Sequence, residues 1–88
     1  MKLLVVEDDA LLLGGLVQAL TTEGYAVDAA KNGAEACALL QSGQYSLIVL
    51  DLGLPDRDGR QLLRQWRKET IDLPGLILTA RDALEDRV

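Results

Sequence analysis

A chain of 88 residues with about half its positions apolar is long enough to bury one core and too short for two. Fourteen acids against nine Lys and Arg leave a net charge of −5. That balance argues against direct binding to DNA, RNA or anionic lipid, which are held by clustered cations.

Histidine is absent, so the commonest metal ligand and the usual general base are missing, and any chemistry rests on carboxylates, hydroxyls and backbone. The single cysteine, Cys37, excludes an internal disulfide and reads as a small buried hydrophobe in a reducing compartment. Met1-Lys2 leads straight into Leu3-Leu4-Val5-Val6, which Glu7-Asp8-Asp9 cut off far short of a signal-peptide core or a membrane span. The expectation is a soluble, cytoplasmic chain.

In chain order, Leu3 to Val6 is a continuous apolar run, the pattern of a strand buried on both faces. Leu12, Leu13, Leu16, Val17 and Leu20 follow at helical spacing, with Gly24 as the helix stop. Gly14 and Gly15 inside that helix each cost roughly 1 kcal/mol relative to Ala. Tyr25 to Ala30 predicts a second strand, Asn32-Gly33 a turn, and Ala34 to Leu40 a second helix ended by Ser42-Gly43.

Leu47-Ile48-Val49-Leu50 is the clearest buried strand, stopping at Asp51 before a loop that runs from Leu52 to Gly59. A third helix carries Leu62, Leu63 and Trp66 inward and leaves Arg60, Arg64, Arg67 and Lys68 outside, a pattern that suits a solvated surface. Leu76-Ile77-Leu78-Thr79 predicts a fourth strand, and Asp82 to Val88 begins a helix with no C-cap signal. Alternating strands and helices at this spacing predict an α/β fold with an open parallel sheet and helices on both faces.

In such sheets ligands bind beyond the carboxyl ends of the strands, which draws attention to Glu7-Asp8-Asp9, Asp51 and Thr79. If the first and third strands are neighbours, Asp8 and Asp51 leave the same sheet edge, and Glu7 or Asp9 joins them. Two like charges at 4 Å repel by about 4 kcal/mol at an effective dielectric near 20, so such a cluster needs a cation, a raised pKa or a reason to stay apart, and a divalent cation is the economical answer. Oxygen-only ligands favour Mg²⁺, which shares its sphere readily with a phosphoryl group. Asp51 is then in position to attack phosphorus and form an acyl phosphate, with the Thr79 hydroxyl as a donor to a phosphoryl oxygen and Gly53 allowing close backbone approach.

Taken singly, each residue has a plainer explanation. Asp8 or Asp9 serves as a helix N-cap, Asp51 as a strand-ending turn residue, and Thr79 as a β-branched strand residue. Asp56, Asp58 and Gly59 share part of a calcium-loop pattern, but its first and last ligand positions hold Leu54 and Gln65. That loop reads better as a Pro-containing turn with Asp58 capping the next helix.

With Leu4-Val5-Val6-Glu7-Asp8-Asp9, Val49-Leu50-Asp51-Leu52-Gly53-Leu54-Pro55 with Asp58-Gly59, and Leu76-Ile77-Leu78-Thr79-Ala80-Arg81-Asp82, the chain resembles the receiver domain of two-component response regulators. The likeness is to the OmpR/PhoB-type transcription factors, with their PmrA- and QseB-like members, and it covers the whole chain. It implies a flavodoxin-like (CheY-like) open parallel sheet, cut after the fourth strand and the start of the fourth helix. It further implies that Asp51 accepts phosphoryl from a sensor histidine kinase, that Glu7, Asp8, Asp51 and the Gly53 carbonyl organise Mg²⁺, and that Thr79 senses the phosphoryl group.

By the same resemblance the pattern continues past Val88 into the rest of the fourth helix, a fifth strand bearing a phosphate-pairing lysine, a fifth helix and a DNA-binding domain. Residues 1–88 are thus expected to be a receiver domain incomplete at its C-terminus, with Lys2, Lys31 and Lys68 in the wrong elements to replace that lysine. A helix missing from the sheet leaves roughly 400 Å² of apolar surface, or about 10 kcal/mol of gross burial. The sheet edge or face is therefore expected to be covered by a second copy, as a homodimer, or by a larger protein. Two other functions stay open: a pseudo-receiver acting only as an interaction module, and a haloacid-dehalogenase-like phosphatase. The phosphatase is opposed by Gly53, which stands where such enzymes carry a second aspartate.

Overall fold

The structure, a computed structural model, describes residues 2–51, 53–54, 56, 58–68 and 76–79. Its elements in chain order are β1 (Lys2–Val6), α1 (Ala10–Thr22), β2 (Ala26–Ala30), α2 (Gly33–Ser42), β3 (Leu47–Asp51), α3 (Gly59–Lys68) and β4 (Leu76–Thr79). The strands form one sheet in the order β2-β1-β3-β4, and every neighbouring pair is parallel. From β1 the chain goes to β2 on one side and then to β3 on the other. The order reverses between β1 and β3, which is where such sheets open a crevice at the strand C-termini. The fourth helix expected from Asp82 lies outside the described residues.

The larger part of the core lies between one sheet face and α2 and α3. Leu4, Val6, Ala30, Ile48 and Leu50 from the strands meet Ala36 and Leu40 of α2, Leu62 and Trp66 of α3, and Tyr45 and Leu54 from the loops. Leu3 and Val5 alternate to the opposite face, where α1 packs on β1 and β2. Of the five α1 residues expected inside, only Leu13 is buried; Leu16, Val17 and Leu20 are half-buried and Leu12 is exposed. α3 follows its pattern more closely, with Leu62 and Trp66 buried, Leu63 half-buried, and Arg60, Arg64, Arg67 and Lys68 exposed. No helix among the described residues is long and apolar enough to cross a membrane.

Three local expectations are corrected. β2 starts at Ala26 rather than Tyr25, because Tyr25 belongs to the end of α1: its N–H donates to Leu20 O at 3.2 Å while Gly24 N–H donates to Thr21 O at 3.0 Å. This paired closure places Gly24 at φ 96°, in the left-handed region that glycine enters without a Cβ penalty. Asn32-Gly33 is a helix start rather than a turn. Asn32 is extended, its side chain accepts the Glu35 N–H at 2.9 Å, and Gly33 is the first residue of α2. Cys37 is half-buried rather than buried, with its sulfur accepting the Trp66 indole N–H at 3.4 Å across the α2–α3 contact.

Candidate functional site

Parallel register brings the C-terminal ends of β1 and β3 level, since Val6 pairs with Leu50. Glu7 and Asp8 follow directly after β1, and Asp51 is the last residue of β3. Glu7, Asp8 and Asp51 each offer a carboxylate oxygen, and these oxygens lie within 4.8 Å of one another. Glu7 and Asp51 are buried, at 3% and 1% exposure, whereas Asp8 faces solvent.

Backbone hydrogen bonds hold this arrangement. The Glu7 N–H donates to Ala30 O at 3.0 Å, extending the β1–β2 ladder by one residue and fixing where the acids begin. A Glu7 oxygen accepts the Asp9 N–H at 2.9 Å. An Asp51 oxygen accepts the Gly53 N–H at 2.9 Å, which folds the following loop back over the carboxylate.

The three consecutive acids divide their labour. Asp9 is the N-cap of α1, with one oxygen accepting the N–H groups of Leu11 at 3.0 Å and Leu12 at 3.1 Å. Asp9 therefore takes the capping role, and Glu7 and Asp8 are the pair that meets Asp51. Thr79 is the register partner of Asp51 at the end of β4; only its strand position is described. Gly53 sits in the turn after Asp51, half-buried. Asp58 caps α3, accepting the Arg60 N–H at 2.8 Å, as the sequence reading expects.

Three carboxylates this close repel one another, and two of them are withdrawn from water, which strengthens the repulsion. An all-oxygen donor set of this charge is chemically suited to a hard divalent cation that keeps part of its water shell.

The sequence reading gave no role to Asp56. Its two carboxylate oxygens accept the N–H groups of Gly33 at 2.8 Å and Ala34 at 3.1 Å, so the loop after Asp51 is tied to the start of α2. No local pattern announces a contact between residues 22 and 23 positions apart. The clue lies in α2 itself, whose first N–H groups need acceptors that its own flanking residues supply only in part.

Residues 3–88 match the family model described as the response regulator receiver domain. Over all 88 residues the chain is 60% identical to the transcriptional regulatory protein PmrA of Pectobacterium parmentieri and 54% identical to BasR of Escherichia coli (strain K12). Each match covers 100% of this chain and 40% of the relative, so the chain spans about two-fifths of the length of these relatives. Among solved structures it is similar to the response regulator TrrA from Thermotoga maritima in complex with Mg²⁺-BeF. That likeness has a TM-score of 0.76 at 26% identity and covers 98% of this chain and 94% of the other.

Proposed function

Because the chain belongs to the response regulator receiver family, we propose that it is the phosphoacceptor part of a two-component transcriptional regulator, in which Asp51 takes a phosphoryl group from a sensor histidine kinase. One observation carries this reading. Buried Asp51 ends the strand beside the sheet's switch point, with its carboxylate within 4.8 Å of the Glu7 and Asp8 carboxylates.

In the transfer, a carboxylate oxygen of Asp51 bonds to phosphorus while the bond from phosphorus to the kinase's histidine nitrogen breaks. The departing imidazole keeps the electron pair, and the product is an acyl phosphate. The Gly53 N–H on the Asp51 carboxylate restricts its rotation, so the nucleophile is oriented before the donor arrives. In this reading Glu7, Asp8, Asp51 and the Gly53 carbonyl hold Mg²⁺. Support comes from the all-oxygen donor set and the burial of two of its carboxylates. When bound, the ion offsets the charge of the carboxylates and of the phosphoryl oxygens. The Thr79 hydroxyl donates to a phosphoryl oxygen and so senses whether Asp51 is modified; the register of Thr79 with Asp51 supports that role.

Receiver domains are signalling modules rather than enzymes, and the only covalent step in this reading ends on the chain's own Asp51. The phosphatase alternative has no support from the loop, because Gly53 has no side chain to act as acid or base. At the level of the whole protein, DNA binding falls to a further domain beyond these residues, and this acidic segment makes no direct nucleic-acid contact. The protein works in the cytoplasm, where the kinase presents its phosphohistidine.

Intact-mass measurement after incubation with acetyl phosphate and Mg²⁺ tests the reading. The protein should gain a phosphate-mass adduct that hydroxylamine removes, and Asp51→Asn should gain none. Absence of the adduct from the unaltered protein rejects the assignment.

A further inference from the structure

The N-terminus of α2 is supplied with acceptors from two sources. Locally, the Asn32 side chain takes the Glu35 N–H at 2.9 Å, and the Glu35 carboxylate takes the Lys31 N–H at 2.7 Å. This reciprocal arrangement is close to a capping box and serves the third helical residue. The Ala36 N–H closes the first helical turn onto Asn32 O at 3.1 Å. The N–H groups of Gly33 and Ala34 remain, and both go to Asp56, at 2.8 and 3.1 Å, one to each carboxylate oxygen. A charged acceptor at a helix N-terminus gains from the helix dipole as well as from the two bonds.

Asp56 lies in the β3–α3 loop, five residues after Asp51. That loop is held at several points: Gly53 N–H on Asp51 at 2.9 Å, Leu54 in the core, and Asp58 capping α3 through the Arg60 N–H at 2.8 Å. The Asp56 bonds differ from the other two hydrogen bonds, which stay within the loop and its flanking elements, because they reach the backbone of α2.

We propose that Asp56 is a positioning residue for the phosphorylation site: it clamps the β3–α3 loop to the start of α2 and thereby fixes Gly53 against Asp51. The inference rests on the reading of Glu7, Asp8, Asp51 and the Gly53 carbonyl as the Mg²⁺ and phosphoryl site. A residue that only capped α2 would affect the stability of α2 and leave Gly53 alone. A clamp transmits its loss to the Gly53 amide and to the metal site.

The test compares Asp56→Ala with Asn32→Ala, which weakens the start of α2 without touching the loop. Two quantities are measured: hydrogen exchange at the Gly53 amide by NMR without metal, and the Mg²⁺ dissociation constant by calorimetry. Asp56→Ala should exchange faster at Gly53 and bind Mg²⁺ about tenfold more weakly, the scale on which residues supporting a ligand act. Asn32→Ala should match the unaltered protein in both. Asp56→Asn keeps one of the two acceptor oxygens and should fall between, which preserves the test if the alanine variant does not fold. Unaltered Gly53 exchange and Mg²⁺ affinity in both Asp56 variants, or equal losses in Asn32→Ala, would overturn the positioning role alone. Failure of the unaltered protein to bind Mg²⁺ would overturn the site reading, and this inference with it.

Discussion

The indole N–H of Trp66 donates to the sulfur of Cys37 at 3.4 Å, joining α3 to α2 across the edge of the core. Trp66 is fully buried, so its one polar atom depends on this acceptor. Cys37→Ala should therefore cost about 1–3 kcal/mol, the usual penalty for leaving a buried donor without a partner. Cys37→Ser offers an oxygen in the same place and should cost less. Trp66→Ala removes the largest side chain of the core and should cost about 3–5 kcal/mol. Urea denaturation of the three variants checks the order.

A second cluster, away from the acidic site, makes stability depend on pH at both extremes. The Tyr45 hydroxyl donates to an Asp28 oxygen at 2.7 Å, and the Lys2 ammonium lies 3.2 Å from that oxygen. The Tyr45 hydrogen bond, and after it Lys2, hold Asp28 below its ordinary value of 3.8. Burial, and after it Asp28, push Tyr45 from 10.0 up to about 12. For Tyr45, raised on folding, the contribution is complete below pH 10 and lost as pH climbs to about 12. For Asp28, lowered on folding, the contribution is present above 3.8 and lost as pH falls below that value. Tyr45→Phe should abolish the alkaline loss and weaken, without removing, the acid one, because Lys2 remains. Urea midpoints across the pH range measure both limbs.

The parts of this fold that sequence shows most plainly are those governed by short-range pattern. β1 and β3 are apolar runs because each lies between two strands of the sheet and buries side chains beneath the helices, while β4 is an apolar run that pairs with β3. Asn32-Gly33 misleads because the pair is a strong turn signal, yet Glu35 three residues later supplies the capping partner that makes it a helix start. The cluster of Glu7, Asp8 and Asp51 is legible because strand order decides which acids share an edge. The separation of Asp8 from Asp9 is not, since two adjacent acids before a helix look alike until cap geometry assigns one of them. Asp56 is hidden for a further reason: its partners are distant in sequence, and only the assembled sheet brings the loop to α2.

Glycines in and after α1 should respond to alanine with opposite signs. Gly14 and Gly15 are helical, exposed, and have open space where a Cβ would stand. Each change to Ala should stabilise the protein by about 0.4–1 kcal/mol, chiefly by reducing the freedom of the unfolded chain. Gly24 has equal space, but its φ of 96° is unfavourable for any residue with a Cβ. Gly24→Ala should destabilise by about 1–2 kcal/mol. Denaturant midpoints for the three single variants test a contrast that rests on backbone conformation alone, since no neighbouring atom is within 4 Å at any of these positions.

The acidic cluster should make the metal-free protein less stable than its neutralised variant and reverse that order when Mg²⁺ is added. Asp51→Asn keeps an oxygen for the Gly53 N–H while removing one of three charges whose oxygens lie within 4.8 Å. Without metal, the loss of repulsion should stabilise the variant. With Mg²⁺ at a hundredfold excess over its dissociation constant, the unaltered protein should gain about 2.7 kcal/mol by mass action. Asp51→Asn should gain little, and Asp8→Asn an intermediate amount, because Asp8 faces solvent and water can take its place on the ion. Thermal unfolding with and without Mg²⁺, at matched ionic strength with a monovalent salt control, separates binding at the cluster from general screening. Equal Mg²⁺ stabilisation of all three proteins would rule out the cluster as the binding site.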